Sequence, residues 1–146
     1  MQSPTRILGL TSVILFIAGC GNSGNPENIP QNVRSRGVEI QTLGRLRNLG
    51  LLYEATLQEG RPPRNFDDLA AHSEPRPKQF VSARDDQQFT VVWGMMKKPE
   101  ASTTTLLAWE STPDEAGGRC VLMADCARTV YLTKEEFDKA PKAKGR

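Results

Sequence analysis

Three groups of side chains in this sequence have the types and spacing to do chemistry. The first is thiol and imidazole: Cys120 and Cys126 stand in a C-x5-C arrangement, and His72 is the sole histidine. Thiolate and imidazole are zinc ligands and also a nucleophile–base pair. This spacing with so distant a histidine matches no usual zinc pattern, however, and no metal site is expected. A single histidine on a short amphipathic helix is ordinarily a surface or boundary residue, which is the expectation for His72. The second group is acidic: Glu110, Asp114, Glu115 and Asp125. Paired carboxylates in a cleft can act as acid and base, but carboxylates in turn-rich sequence more often hold turns or face solvent. The third is aromatic: Phe89, Trp93, Trp109 and Tyr131 could stack against a sugar or peptide, or alternate along strands and fill a core. No nucleophile elbow, phosphate-binding loop or dinucleotide fingerprint is present. No catalytic residue and no cofactor is therefore assigned.

The elements that must position these residues come from a chain of 146 residues, one domain's worth. Its formal charge of +2 is too small an excess to make nucleic acid the main partner, since a phosphate-binding face needs a basic cluster.

The first twenty residues read as an address. Arg6 is followed by an apolar run from Ile7 to Ala18. A membrane-spanning helix needs roughly 20 apolar residues, so this run is too short to be one and suits the apolar region of a secretory signal. It ends Ile17-Ala18-Gly19-Cys20, which resembles the lipobox of bacterial lipoproteins. That resemblance implies cleavage after Gly19, diacylglycerol on the Cys20 thiol and acylation (palmitate or a similar chain) of the new N-terminus. Each buried methylene contributes about 0.8 kcal/mol, so several chains anchor a protein without a spanning helix. Loss of residues 1–19 removes Arg6 and leaves a net side-chain charge of +1. Gly21, in place of aspartate, resembles the sorting signal of lipoproteins sent to an outer membrane. The implied location is the cell envelope, with the domain facing the periplasm or exterior. In that oxidising compartment Cys120 and Cys126 would pair by default. A hairpin strand would instead hold their Cα atoms roughly 15–20 Å apart, beyond disulfide reach. Both outcomes stay open at this stage.

Beyond Cys20, residues 21–36 are rich in Gly, Asn, Ser and Pro and read as a tether, with an end-to-end distance of roughly 20 Å. Leu43, Leu46, Gly50, Tyr53 and Leu57 follow a 3,4,3,4 spacing that predicts an amphipathic helix over 37–59, widened by Leu49 and Leu52. Gly50 in its interior suggests a close packing partner, and Gly60 suits the left-handed position after the helix end. Asn65 caps a short second helix carrying Asp67 and Asp68 in its first turn. Residues 73–87 read as a loop that Phe80 and Val81 pin to the core. Strands are expected at Phe89–Met95, Thr103–Glu110, Arg119–Ala124 and Arg128–Leu132. Thr133 and Glu136 form a capping box for a last short helix. The fold class is therefore α+β: a long N-terminal amphipathic helix packed on a small antiparallel sheet of three or four strands, with short helices. The divisions are 1–19 signal peptide, 20–36 lipid anchor and tether, 37–140 folded domain, and 141–146 disordered tail.

Two stretches resemble bacterial pseudopilin-like proteins, relatives of the type II secretion major pseudopilin. One is Leu43 to Leu69, with Leu46-Arg47-Asn48-Leu49-Gly50-Leu51 and Gly60-Arg61-Pro62-Pro63-Arg64-Asn65-Phe66-Asp67-Asp68-Leu69. The other runs from Leu106 to Phe137 through Pro113-Asp114-Glu115-Ala116-Gly117-Gly118 and Val121-Leu122-Met123-Ala124-Asp125. The family segment carries a histidine nine residues before an Asp-Gly that turns a hairpin (His-x9-Asp-Gly). Here Glu115 stands at the histidine position and Cys126 at the glycine position. One extra residue enlarges the turn and would remove the need for glycine's positive φ. The pilin-type leader and spanning helix are replaced by the lipobox, so filament assembly is not carried over. The resemblance implies the fold and a non-enzymatic envelope role as a structural or protein-interaction module. Its partners would be the membrane, through lipid on Cys20, and an envelope protein. A binding module for an extracellular polymer or peptide, using the aromatics, is the alternative. A small acid/base hydrolase using the acidic group is the second.

Overall fold

A computed structural model describes residues 31–73, 78–96 and 98–145. The expected signal peptide, Cys20 and the first part of the expected tether lie outside them. The longest element is α1, Gln31–Gln58, about 42 Å at 1.5 Å per residue. It begins six residues earlier than the 37 expected, so residues 31–36 are helix and not tether. Neither glycine nor proline interrupts 31–36, and nothing local stops the helix there. From residue 35 onward its buried positions run from Thr42 to Thr56, and include Leu46, Leu49, Leu52 and Tyr53. Leu43 and Leu57, expected at the centre of the stripe, are half-buried at its margin. The threonines face inward because each hydroxyl has a partner: Thr56 donates to Tyr53 O at 2.7 Å, and Thr42 accepts from Ala83 N–H at 3.1 Å.

The end of α1 follows its sequence. Gly60 takes φ +75, its N–H donates to Leu57 O at 3.0 Å, and Arg61 N–H donates to Thr56 O at 3.3 Å. That is the six-to-one and five-to-two pairing of a Schellman cap, available without strain to glycine. Helix α2, Phe66–Ala70, is capped by Asn65, whose side chain accepts from Asp68 N–H at 2.9 Å.

The sheet is antiparallel throughout, in the order β1 (Thr90–Val91), β2 (Leu106–Trp109), β3 (Arg119–Met123), β4 (Thr129–Leu132). The first two strands are shorter than expected. β1 ends early because Gly94 turns the chain at φ +75 and its N–H goes to Pro63 O. The Tyr53 hydroxyl meanwhile donates to Val92 O at 2.9 Å and accepts from Met95 N–H at 3.1 Å. β2 starts late because Thr104 and Thr105 direct both their N–H groups and their hydroxyls to Ala101 O. Such local bonds compete with a ladder.

Alternation along β3 divides the core. Cys120 and Leu122 join Leu46, Leu49, Tyr53 and Phe89 on one face. Val121 and Met123 join Leu106 and Phe137 on the other. Phe137 belongs to α3, Lys134–Lys139, whose capping box between Thr133 and Glu136 forms as read. Residues 141–143, expected in a disordered tail, instead lie beside β2. Leu106 N–H donates to Pro141 O at 2.7 Å and Ala143 N–H to Leu106 O at 2.8 Å. These bonds occupy the edge that a two-residue β1 leaves uncovered.

Candidate functional site

The acidic residues grouped by sequence are separated by the fold. Glu110 closes β2 and is 1% exposed. Its carboxylate accepts from Ser82 Oγ at 2.6 Å, Arg84 Nη2 at 2.8 Å and Cys120 N–H at 2.8 Å. A buried carboxylate is tolerable only when its lone pairs are met in this way. The pair joins the 82–84 loop to the sheet. Asp114 holds the loop before β3: Oδ1 accepts from Ala116 N–H at 3.0 Å and Gly118 N–H at 2.7 Å, and Oδ2 from the Tyr131 hydroxyl at 2.7 Å. Partial burial works against its charge. The Tyr131 hydroxyl, the two N–H groups and the Arg84 cation outweigh that and hold its carboxyl below the usual range. The same bond is the main cause that pushes the Tyr131 phenol up to about 12. Asp125 lies at the far end of β3, about 13 Å along the strand, where Oδ1 accepts from Ala127 and Arg128 N–H at 2.9 Å each. Glu115 is exposed. The structure therefore pairs Glu110 with Arg84, whose charge also reaches Asp114, and does not bring Asp125 or Glu115 into a shared acid–base site.

Cys120 and Cys126 are both free and buried. Their places at opposite ends of β3 explain why they do not pair. Burial is the main cause that raises both thiols, Cys126 to about 12 and Cys120 further, the latter also through the Glu110 charge. Thiols held this far from thiolate are poor nucleophiles and poor metal ligands. Among the described residues no group of three or more His, Cys, Asp or Glu could hold a metal ion.

Cys126 has φ +64. The enlarged turn thus keeps the left-handed residue that a glycine would supply, against the expectation that the extra residue removes the need for one. The contact above it explains the constraint: Gly50 of α1 lies so close that a Cβ there would stand 3.0 Å from both the Cys126 carbonyl carbon and Leu122 Cδ1.

The aromatics are likewise divided. Phe89 is buried in the α1-side core and Tyr131 is tied to Asp114. Trp109 lies on the other face, 5.8 Å from the Phe137 ring at 69°, with Lys142 Nζ 5.9 Å above it. Trp93 packs edge-on to Phe66 at 4.8 Å and also lines a groove of about 820 Å³. Pro62, Pro63 and Met96 supply apolar walls of this groove, and Arg61, Arg64 and His72 polar ones. His72 is half-buried, with Nδ1 3.5 Å from Glu59 Oε1. No local pattern marks this groove, because its walls come from the end of α1, from α2 and from the turn after β1. The proline pair at 62–63 and the glycine at 94 were the available signals, but they mark turns and not the cleft between them.

No family model, curated protein or solved structure matches this chain. No helix among the described residues is long and apolar enough to cross a membrane.

Proposed function

We propose that this chain is a non-enzymatic, lipid-anchored protein of a bacterial envelope, held by diacylglycerol on Cys20. Its domain serves as a structural or protein-interaction module, with a long helix packed on a small antiparallel sheet as in pseudopilin-like proteins. The observation that carries the reading is the run Ile7 to Ala18 closed by Gly19-Cys20 and followed by polar sequence. The outer membrane is the favoured site where two membranes exist. The non-enzymatic part is supported by the engagement of Glu110, Asp114 and Asp125 in strand and turn contacts. Labelled palmitate fed to cells making the full chain tests the anchor. Incorporation that disappears in Cys20→Ala supports it, and a wild-type chain without label overturns it. A pull-down from membranes, with Cys20→Ala as control, then tests for an envelope protein partner.

A second reading, a binding module for an extracellular polymer or peptide, is favoured by the half-buried Trp93 in its groove. Cell-wall glycan fragments or extended peptides that quench Trp93 fluorescence in a Trp109→Phe background would support it. An unchanged spectrum across such ligands removes it.

A further inference from the structure

The two ends of the sheet are finished differently. At one end β1 and residues 141–143 share the outer edge of β2. At the other end β4 pairs with β3 alone, and no other described strand lies beside it. Met123 N–H donates to Arg128 O at 2.9 Å, and the ladder pairs Val121 with Val130 and Arg119 with Leu132. Bonded positions alternate along an antiparallel ladder. The N–H and C=O groups of Arg128, Val130 and Leu132 therefore point to β3, and those of Thr129 and Tyr131 point outward. No described residue bonds with those outward groups. All the β4 side chains are half-buried. The strand is short, but it contains neither proline nor lysine and has no bulge, so its edge is not blunted by those devices. Helix α1 lies on one face of the sheet and Phe137 of α3 on the other.

We infer that this edge takes β4 of a second copy of the chain, antiparallel, about a two-fold axis at Val130. The register argues for self-pairing. Thr129 then stands opposite Tyr131 of the second copy and the reverse, and four hydrogen bonds satisfy every outward backbone group on both strands. Val130 faces Val130 as a close non-bonded pair, Thr129 faces an aromatic ring, and Arg128 faces Leu132. No like charges meet, and such cross-strand pairs are favourable. Neighbouring registers fail on observed bonds. An axis at Tyr131 sets Thr129 against Thr133, whose N–H is already held by Glu136 and whose C=O accepts from Phe137. An axis at Thr129 sets Tyr131 against Ala127, whose N–H is held by Asp125.

The inference is independent of the lipid anchor and is tested on the full-length chain in mild detergent. With copper phenanthroline as oxidant, Val130→Cys gives a disulfide-linked dimer well above wild type, whose own cysteines set the background. Non-bonded partners stand about 4.5 Å apart at Cα, inside the disulfide window. Thr129→Cys cross-links about tenfold less, since the axis leaves its copies about 8 Å apart. Thr129→Pro removes an outward N–H that makes no bond with any described residue, so adding it to Val130→Cys abolishes the cross-link while the circular dichroism of the fold stays. A Val130→Cys yield no greater than wild type, or equal to Thr129→Cys, overturns the inference. So does a folded Thr129→Pro chain that still cross-links. If Thr129→Pro does not fold, the contrast between the two cysteine positions decides alone.

Discussion

Gly50 and Gly44 occupy the same helix, and the same substitution at each should move stability in opposite directions. Replacing a helix-interior glycine by alanine gains about 1 kcal/mol from backbone entropy. At Gly44 that gain stands alone, because an added Cβ meets nothing within 4 Å. At Gly50 the added Cβ would meet the Cys126 carbonyl and Leu122 Cδ1. The carbonyl is backbone in a turn already fixed at φ +64. Its residue is held further by Cys126 N–H donating to Met123 O at 3.0 Å, and its peptide group by Ala127 N–H donating to Asp125 Oδ1 at 2.9 Å. It cannot move without breaking those bonds, whereas a flexible side chain could rotate away. Overpacking of this kind costs about 1–3 kcal/mol, and contact with rigid backbone argues for the upper part of that range. Gly50→Ala should therefore be net destabilising by about 1–2 kcal/mol and Gly44→Ala stabilising by about 1 kcal/mol. Near the melting temperature each kcal/mol is worth about 4 °C in a domain of this size, so the two variants should melt about 8 °C or more apart. Thermal and urea unfolding followed by circular dichroism measure both. Equal shifts of the same sign would show that α1 does not approach the 124–128 turn as described, and the account of the Cys126 conformation would fall with it.

Three further outcomes follow from the network around β3. Glu110→Ala strips acceptors from Ser82, Arg84 and the Cys120 N–H. Because Arg84 keeps 27% of its side chain exposed, the loss should fall near the low end of the buried-pair range, about 3 kcal/mol; a loss under about 0.5 kcal/mol in urea titration would mean the pair is not buried in solution. Asp114 has a folded pKa below its unfolded value, so its contribution is complete above about pH 4 and is lost as pH falls through the folded pKa. Asp114→Asn should flatten the acid limb of a stability–pH curve while leaving its shape above pH 6 unchanged, and an acid limb identical to wild type refutes the assignment. Finally, Cys120 and Cys126 should react with a disulfide reagent at pH 8 only as fast as the chain opens, and fully in denaturant, because burial raises both thiols. Rapid labelling in the native state contradicts that.

What the sequence made legible, and what it hid, divides by the range of the interaction. Asn65 and Asp68, Thr133 and Glu136, and Gly60 act on backbone groups within a few residues, so residue type and spacing are enough to read them, and each does what its type predicts. β1 failed because its competitors come from elsewhere: Tyr53 is 42 residues from Met95, and the Pro63 carbonyl takes the Gly94 N–H. The threonines before β2 failed for the opposite reason, since their β-forming type was outweighed by bonds to a carbonyl three and four residues back. The acidic group shows the same division in chemical terms. Asp125 caps its own turn and was readable as turn chemistry. Glu110 owes its state to Ser82 and Arg84, 28 and 26 residues away. No local pattern marks such a carboxylate as buried and paired, so proximity in sequence offered a constellation that the strand geometry pulls apart. The same logic explains the Gly50 contact. A glycine inside an apolar helical stripe announces that something lies close, but only the register of α1 against the hairpin identifies it as the one non-glycine residue of that turn with a positive φ.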